Sequence, residues 1–419
     1  MRRLYTLVLS LLLPFILARL YWKGRRLPGY RSRIPERFFL QTVKPTAVDV
    51  WIHAVSLGEV VAATPLIERL LLSEYKLLVT TMTPTGSSQV HRKFGSRVVH
   101  QYLPYDLPWI YRRFLTAVSP RLGIILETEL WPNLMHQAKI LNIPMMLING
   151  RISDKSFKKY MRIRGFFCKV LSKFQVILTQ SALDAERFIA LGATQVHNVG
   201  NLKFDVDPAA GERSGILAIR ERCGSERVIV VAASTHAREE QMLLDVLPGL
   251  KKVLSGVLLI IAPRHPERFS EVVELSQSMG FITGQRSQLE RLHTWVDVVI
   301  LDSLGELLSV YAASDYAFVG GSLIAIGGHN VLEPIALKVP VCCGPFMHNS
   351  SEICDELTQA GAIQRVGSAN DLVDYIKLME ERDDLRALQV EQASKILLSH
   401  QGSVNRCLEW IQPYLMVQD

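Results

Sequence analysis

No two cysteines in this 419-residue chain stand at CxxC spacing. The six present (Cys168, Cys223, Cys342, Cys343, Cys354 and Cys407) argue against a zinc ribbon or a disulfide framework and suit a reducing compartment. The P-loop pattern GxxxxGK[ST], the metalloprotease HExxH and the GxSxG nucleophile turn are all missing, and no short internal repeat is visible. With only 26 glycines and 19 prolines, collagen-like and low-complexity readings fail. Hydrophobic residues at 48% and charged ones at 21% rule out a disordered chain. The length suggests about three domains, or two larger ones with a short terminal element.

The excess of positive charge is confined to one end. Residues 1–40 hold nine Lys/Arg against a single acid, Glu36, whereas the other 379 residues carry 38 basic and 39 acidic side chains. A nearly neutral body lacks a broad phosphate-backbone footprint, so no nucleic-acid partner is expected.

Residues 4–20 are apolar apart from Tyr5, Thr6, Ser10 and Arg19. As a helix they span roughly 25 Å, a little short of a ~30 Å hydrocarbon core. Pro14 is expected to kink it. Tyr21, Trp22 and a basic run over 23–37 follow, and no small-x-small cleavage site does. The positive-inside rule then places the body in the cytoplasm, with the basic residues against anionic lipid.

Beyond residue 45, strand-like apolar runs alternate with helix-length stretches. The runs are 48–55, 77–82, 98–103, 122–126, 143–148, 174–178 and 196–199 in the first half. In the second they are 228–233, 257–261, 298–301, 316–319 and 339–343. Runs without polar alternation belong to parallel sheets covered on both faces. The expected class is α/β, with two Rossmann-like domains facing a cleft. The expected division is an anchor over 1–22, a basic juxtamembrane segment over 23–45, a first domain over 46–204 and a linker over 205–215. A second domain over 216–400 and a C-terminal helix over 401–419, packed back on the first domain, complete it.

Five segments fall at or just after expected strand ends, the edge where open α/β sheets bind ligands. His53-Ala-Val-Ser-Leu-Gly-Glu59 turns from strand to helix. Ser56, Gly58 and, further along the chain, Glu127 would shape the acceptor side, and Glu59 reads either as a general base or as a plain acid at a helix N-terminus. Glu127 and Glu129 flank Thr128, and strand alternation points both to one side. Lys203 offers a cation beside the linker, and Pro263, Arg264 and His265 suit a phosphate. Gly327 and Gly328, followed by Asn330, Val331, Leu332 and Glu333, are expected to open a helix whose free N–H groups receive a phosphate, with Glu333 on a ribose diol. Asp205-Val-Asp207 matches the metal-binding DxD pattern only formally, and no metal is expected there.

These segments, with Asn149-Gly-Arg151-Ile-Ser153, resemble in order and spacing those of the 3-deoxy-D-manno-octulosonic acid (Kdo) transferases of lipopolysaccharide synthesis over nearly the whole chain. In one departure, Ser234-Thr-His-Ala-Arg-Glu-Glu240, the family usually has glycine where this chain has Arg238. The resemblance implies a GT-B fold and an inverting, metal-independent transfer, with no cofactor, from CMP-Kdo to the 6′-hydroxyl of lipid IVA. It implies that Glu59 is the base, that Glu129 and Lys203 support the transition state, and that Pro263, Arg264, Gly305, Glu306, Leu307 and Asn330 to Glu333 bind CMP. The expected place is the cytoplasmic face of the bacterial inner membrane, with residues 1–40 on the lipid. Two alternatives remain at this level: a GT-B enzyme or epimerase using another nucleotide, and a non-catalytic tethered lipid-binding protein.

Overall fold

Runs of Val, Ile, Leu and Met become most of the strands, the inner ones paired on both sides. In the computed structural model, which describes residues 1–25, 28–40, 47–206, 217–291 and 295–416, fourteen strands form two sheets. The first contains β1 (Val50–His53), β2 (Leu77–Thr81), β3 (Val99–Tyr102), β4 (Leu122–Leu126), β5 (Met145–Gly150), β6 (Val176–Thr179) and β7 (Val196–Asn198). Its order is β3-β2-β1-β4-β5-β6-β7, with every pair parallel. Alternation sends Val50 and Ile52 to one core and Trp51 to the other. Strand order reverses between β1 and β4, the switch point where such sheets bind ligands.

The second sheet contains β8 (Val228–Thr235), β9 (Val257–Pro263), β10 (Thr283–Gln285), β11 (Val298–Ile300), β12 (Tyr316–Val319), β13 (Val341–Cys343) and β14 (Gln364–Arg365). It too is parallel, ordered β10-β11-β9-β8-β12-β13-β14, and reverses between β8 and β12. The chain divides into Met1–Asp205 with His400–Asp419, and Val206–Ser399. The last helix, Ser403–Leu415, buries Cys407, Ile411 and Leu415 in a core of the first unit. Asp205 fixes its start: the carboxylate accepts N–H bonds from Gly402 and Val404, both at 2.6 Å. That leaves Asp205 serving as a helix cap. Most of the expected linker, with Asp207, lies outside the described residues.

The N-terminal helix is Arg2–Lys23, five residues longer than the apolar run, and continues through Pro14. By length and composition it is able to cross a membrane, and none of its residues is buried. The basic segment after it differs from expectation. Arg37 is only 1% exposed, donates to the Met82 carbonyl (2.9 Å) and lies 4.3 Å over the Tyr102 ring. Arg33 pairs with Glu36, whose other oxygen takes the Tyr102 N–H at 2.9 Å. These two arginines are part of the first unit's own packing and are not turned toward lipid.

Candidate active site

In the first unit three acids gather at the switch point. The helix Leu57–Leu72 starts immediately after β1 with Ser56 as N-cap, which puts Glu59 in its first turn. The Glu59 carboxylate, 8% exposed, reaches back to accept the Val55 N–H at 2.7 Å and the Ser56 hydroxyl at 3.2 Å. Such bonds favour the charged form, yet burial outweighs them, and Glu127 and Glu129 add repulsion. The result is a carboxyl pushed up to about 8. Gly58 has no atom nearer than 3.9 Å to where a Cβ would stand, so this face of the turn is open.

Glu127 and Glu129 converge by a different route from the expected one. β4 ends at Leu126, and Glu127 adopts φ +56°, so the pair lies in a turn rather than along a pleated strand. Thr128 holds that turn by donating to the Arg151 carbonyl. Glu129 is also raised, by burial first and Glu127 second. Lys203 lies in a short 3-10 turn, Leu202–Phe204, after β7. Buried amides place it: Asn149 Oδ1 accepts the Leu202 N–H, Gln180 donates to the Asn149 carbonyl, and Asn201 donates to Gln180, each at 3.0 Å.

In the second unit Arg264 follows β9, its N–H bonded to the Thr235 carbonyl at 2.9 Å. Asn330 donates to Glu333 (3.1 Å) and accepts the Leu332 N–H (3.1 Å). The helix expected to open at Gly327 is only Leu332–Ala336. Gly327 and Gly328 precede it in a loop at φ +114° and +68°, and both donate to the Gly321 carbonyl, at 3.1 and 2.8 Å. Their N–H groups are therefore engaged within the loop. Gly305, at φ +87°, makes the turn before the helix Leu307–Ala312, and Glu306 pairs with Arg286 at 3.0 Å.

Three residues at this edge were not among the sequence candidates. Glu239, fully buried, accepts N–H groups from His236, Gly321, Ser322 and Leu323 at 2.7 to 3.3 Å, which fixes the loop after β12. His236 and His329 meet Nε2 to Nε2 at 2.9 Å. The criterion of strand ends reaches His236, since β8 stops at Thr235, but gives no sign of its partner. Arg238 adopts φ +75°, a conformation in which glycine is unstrained, and this is the position where glycine was expected.

A family model described as 3-deoxy-D-manno-octulosonic-acid transferase (kdotransferase) matches residues 32–206. The chain is 36% identical over 422 residues to the 3-deoxy-D-manno-octulosonic acid transferase of Haemophilus influenzae, covering 99% of each chain. It is 33% identical over 429 residues to that of Bordetella pertussis, again 99% of each. Among solved structures, a glycosyltransferase from Rickettsia africae ESF-5 superposes with a TM-score of 0.56 at 14% identity, covering 88% of this chain and 99% of that one. That likeness shows a shared GT-B fold. Two parallel sheets with acids at the switch point of the first, together with whole-length identity above 30%, establish that this chain belongs to the 3-deoxy-D-manno-octulosonic acid transferase family of glycosyltransferases.

Proposed function

We propose that the chain moves Kdo from CMP-Kdo to the 6′-hydroxyl of lipid IVA, inverting the anomeric centre and using no metal or cofactor. The observation that carries the reading is Glu59, a buried acid at the first switch point whose carboxyl is raised to about 8. Once ionised, it is a stronger base than an exposed glutamate. Glu59 takes the hydroxyl proton as the acceptor oxygen attacks the anomeric carbon. The bond from that carbon to the phosphate oxygen breaks, and its electron pair leaves with CMP. A single displacement of this kind inverts the centre.

The anomeric carbon becomes electron-poor, and Glu129, with Glu127 beside it, supplies negative charge. The departing phosphate gains charge, for which Arg264 and Lys203 are the suited cations. Asn330 and Glu333 present polar atoms to the ribose, while Ser56 and the open face at Gly58 receive the acceptor. Residues 1–40 would hold the protein on the cytoplasmic face of the inner membrane. The acceptor's acyl chains leave a bilayer only at ~0.8 kcal/mol per exposed CH₂, so the enzyme must work there.

The test is mass spectrometry of lipid IVA incubated with purified protein and fresh CMP-Kdo, with and without EDTA. A gain of one or more Kdo masses, unaffected by EDTA and lost in Glu59→Ala, is expected. No mass gain from a folded, CMP-binding protein would refute the acceptor, and loss with EDTA restored by a divalent ion would refute the metal-free route.

A further inference from the structure

β8 and β12, the strands at the switch point of the second sheet, bring two histidines together at their carboxyl ends. His236 follows β8, and His329 lies on the loop after β12. Their Nε2 atoms are 2.9 Å apart, the ring planes are within 5° of parallel and the ring centres are 5.2 Å apart. At that distance one proton fits between the nitrogens: one ring donates Nε2–H and the other accepts it.

The surroundings are cationic. The His265 ring lies 5.3 Å from that of His236, and Arg264 acts on both members of the pair. Arg268 also acts on His236, while itself paired with Glu240 at 3.2 Å and Glu271 at 3.0 Å. The nearby acids are engaged: Glu239 by four backbone N–H groups and Glu333 by Asn330. His348 stands against Gly327 on the same loop. Burial first, then this positive charge, keeps the rings neutral. His329 is pushed down to about 3, and His236 is lowered as well.

We propose that His236 and His329 form a seat for an anionic oxygen group of the sugar-nucleotide donor, and that the pair takes up one proton as that group binds. The inference rests on the donor reading above. An anion beside Arg264 offsets the positive charge that adds to burial in holding the rings neutral, and its own attraction for an imidazolium works against the burial cost. The proton enters at Nδ1 of the ring that donates through Nε2, giving an imidazolium whose Nε2–H still points at its partner. The N–H···N bond survives and becomes charge-assisted. A second proton would set two N–H groups head to head at 2.9 Å, so uptake stops at one. CMP-Kdo offers two groups of the required chemistry, its phosphodiester and the carboxylate of its ulosonic acid.

Titration calorimetry of the full chain at mildly acidic pH, in two buffers of different protonation enthalpy, tests this. One ligand is cytidine 5′-monophosphate methyl ester, a phosphodiester that does not titrate near neutrality and has no carboxylate; the other is fresh CMP-Kdo. Wild-type protein is expected to take up roughly half to one proton on binding. His236→Gln and His329→Gln are expected to take up none and to bind about tenfold more weakly. Uptake with the ester assigns the phosphodiester to the seat, and uptake with CMP-Kdo alone assigns the carboxylate. Binding of both ligands by wild type without proton uptake overturns the seat and leaves the donor reading standing. Failure of wild type to bind either removes the donor reading and the seat with it.

Discussion

In the proposed mechanism Glu59 at rest is held away from the state in which it would work. Burial raises its carboxyl from 4.5 to about 8, so across that interval the folded chain binds a proton that the unfolded chain has released. Ionising it therefore costs folded-state stability, not at all below pH 4.5 and in full above pH 8. Glu59→Gln keeps an acceptor for the Val55 N–H and removes the titration. Its melting temperature is expected to match wild type near pH 4.5 and exceed it increasingly up to pH 8. Over the same range wild-type kcat/KM should climb with pH, because the proposed base must be ionised in the free enzyme. An equal melting temperature at pH 8, or a flat rate profile, would count against the raised carboxyl. Arg238 is strained in its backbone. Its φ of +75° favours glycine, so Arg238→Gly should raise the urea midpoint by about 1 kcal/mol of stability. A lower midpoint would show that the arginine side chain contributes contacts that outweigh the strain.

The elements divide by how much their form depends on local sequence. Asp205 shows a short-range device with a long-range effect, since its carboxylate caps a helix almost 200 residues later in the chain. Asp205→Ala should lower stability by roughly 1–2 kcal/mol in urea unfolding, the usual worth of a cap. An unchanged midpoint would mean that Cys407, Ile411 and Leu415 alone hold the helix Ser403–Leu415. Twelve of the fourteen strands were legible because they fall on apolar runs, most of them buried on both faces. The two that were not, β10 (Thr-Gly-Gln) and β14 (Gln-Arg), are the edges of the second sheet, where half-exposed backbone tolerates polar residues and leaves no apolar run to read. Strand ends located Glu59, Lys203 and Arg264 directly. Periodicity misjudged how Glu127 and Glu129 converge, because it assumes a pleat that stops at Leu126. The Gly-Gly motif gave no sign that the N–H groups of Gly327 and Gly328 meet a carbonyl, Gly321, which no local pattern reveals. His329 was missed for the same reason, since its partner is 93 residues away.

On the scale of the whole molecule, the N-terminal helix has two faces about half a turn apart. Arg2, Thr6, Leu9 and Leu13 recur at helical spacing and meet the first unit: Arg2 and Thr6 bond Asn133 at 2.9 to 3.1 Å, and Leu9 and Leu13 pack on its core. Leu4, Leu7, Val8, Leu11, Leu12 and Phe15 form the opposite stripe and are exposed, Leu11 at 67% and Phe15 at 72%. A bare apolar stripe on a helix that carries Arg2, Arg3, Arg19 and Lys23 and no acid suits an anionic bilayer. The charge is less available than the sequence alone suggests, because Arg33 and Arg37 are folded into the first unit. In the proposed attachment, apolar contact must therefore supply much of the hold. Leu11→Ser with Phe15→Ser leaves the charge unchanged and removes two large exposed side chains. Sedimentation with vesicles containing phosphatidylglycerol should show at least about tenfold weaker partitioning, at ~1.5–3 kcal/mol for each side chain. CMP binding should be unaffected and the KM for the lipid acceptor raised. Undiminished partitioning would place the attachment in the remaining arginines and lysines, and its loss in high salt would then confirm that electrostatic route.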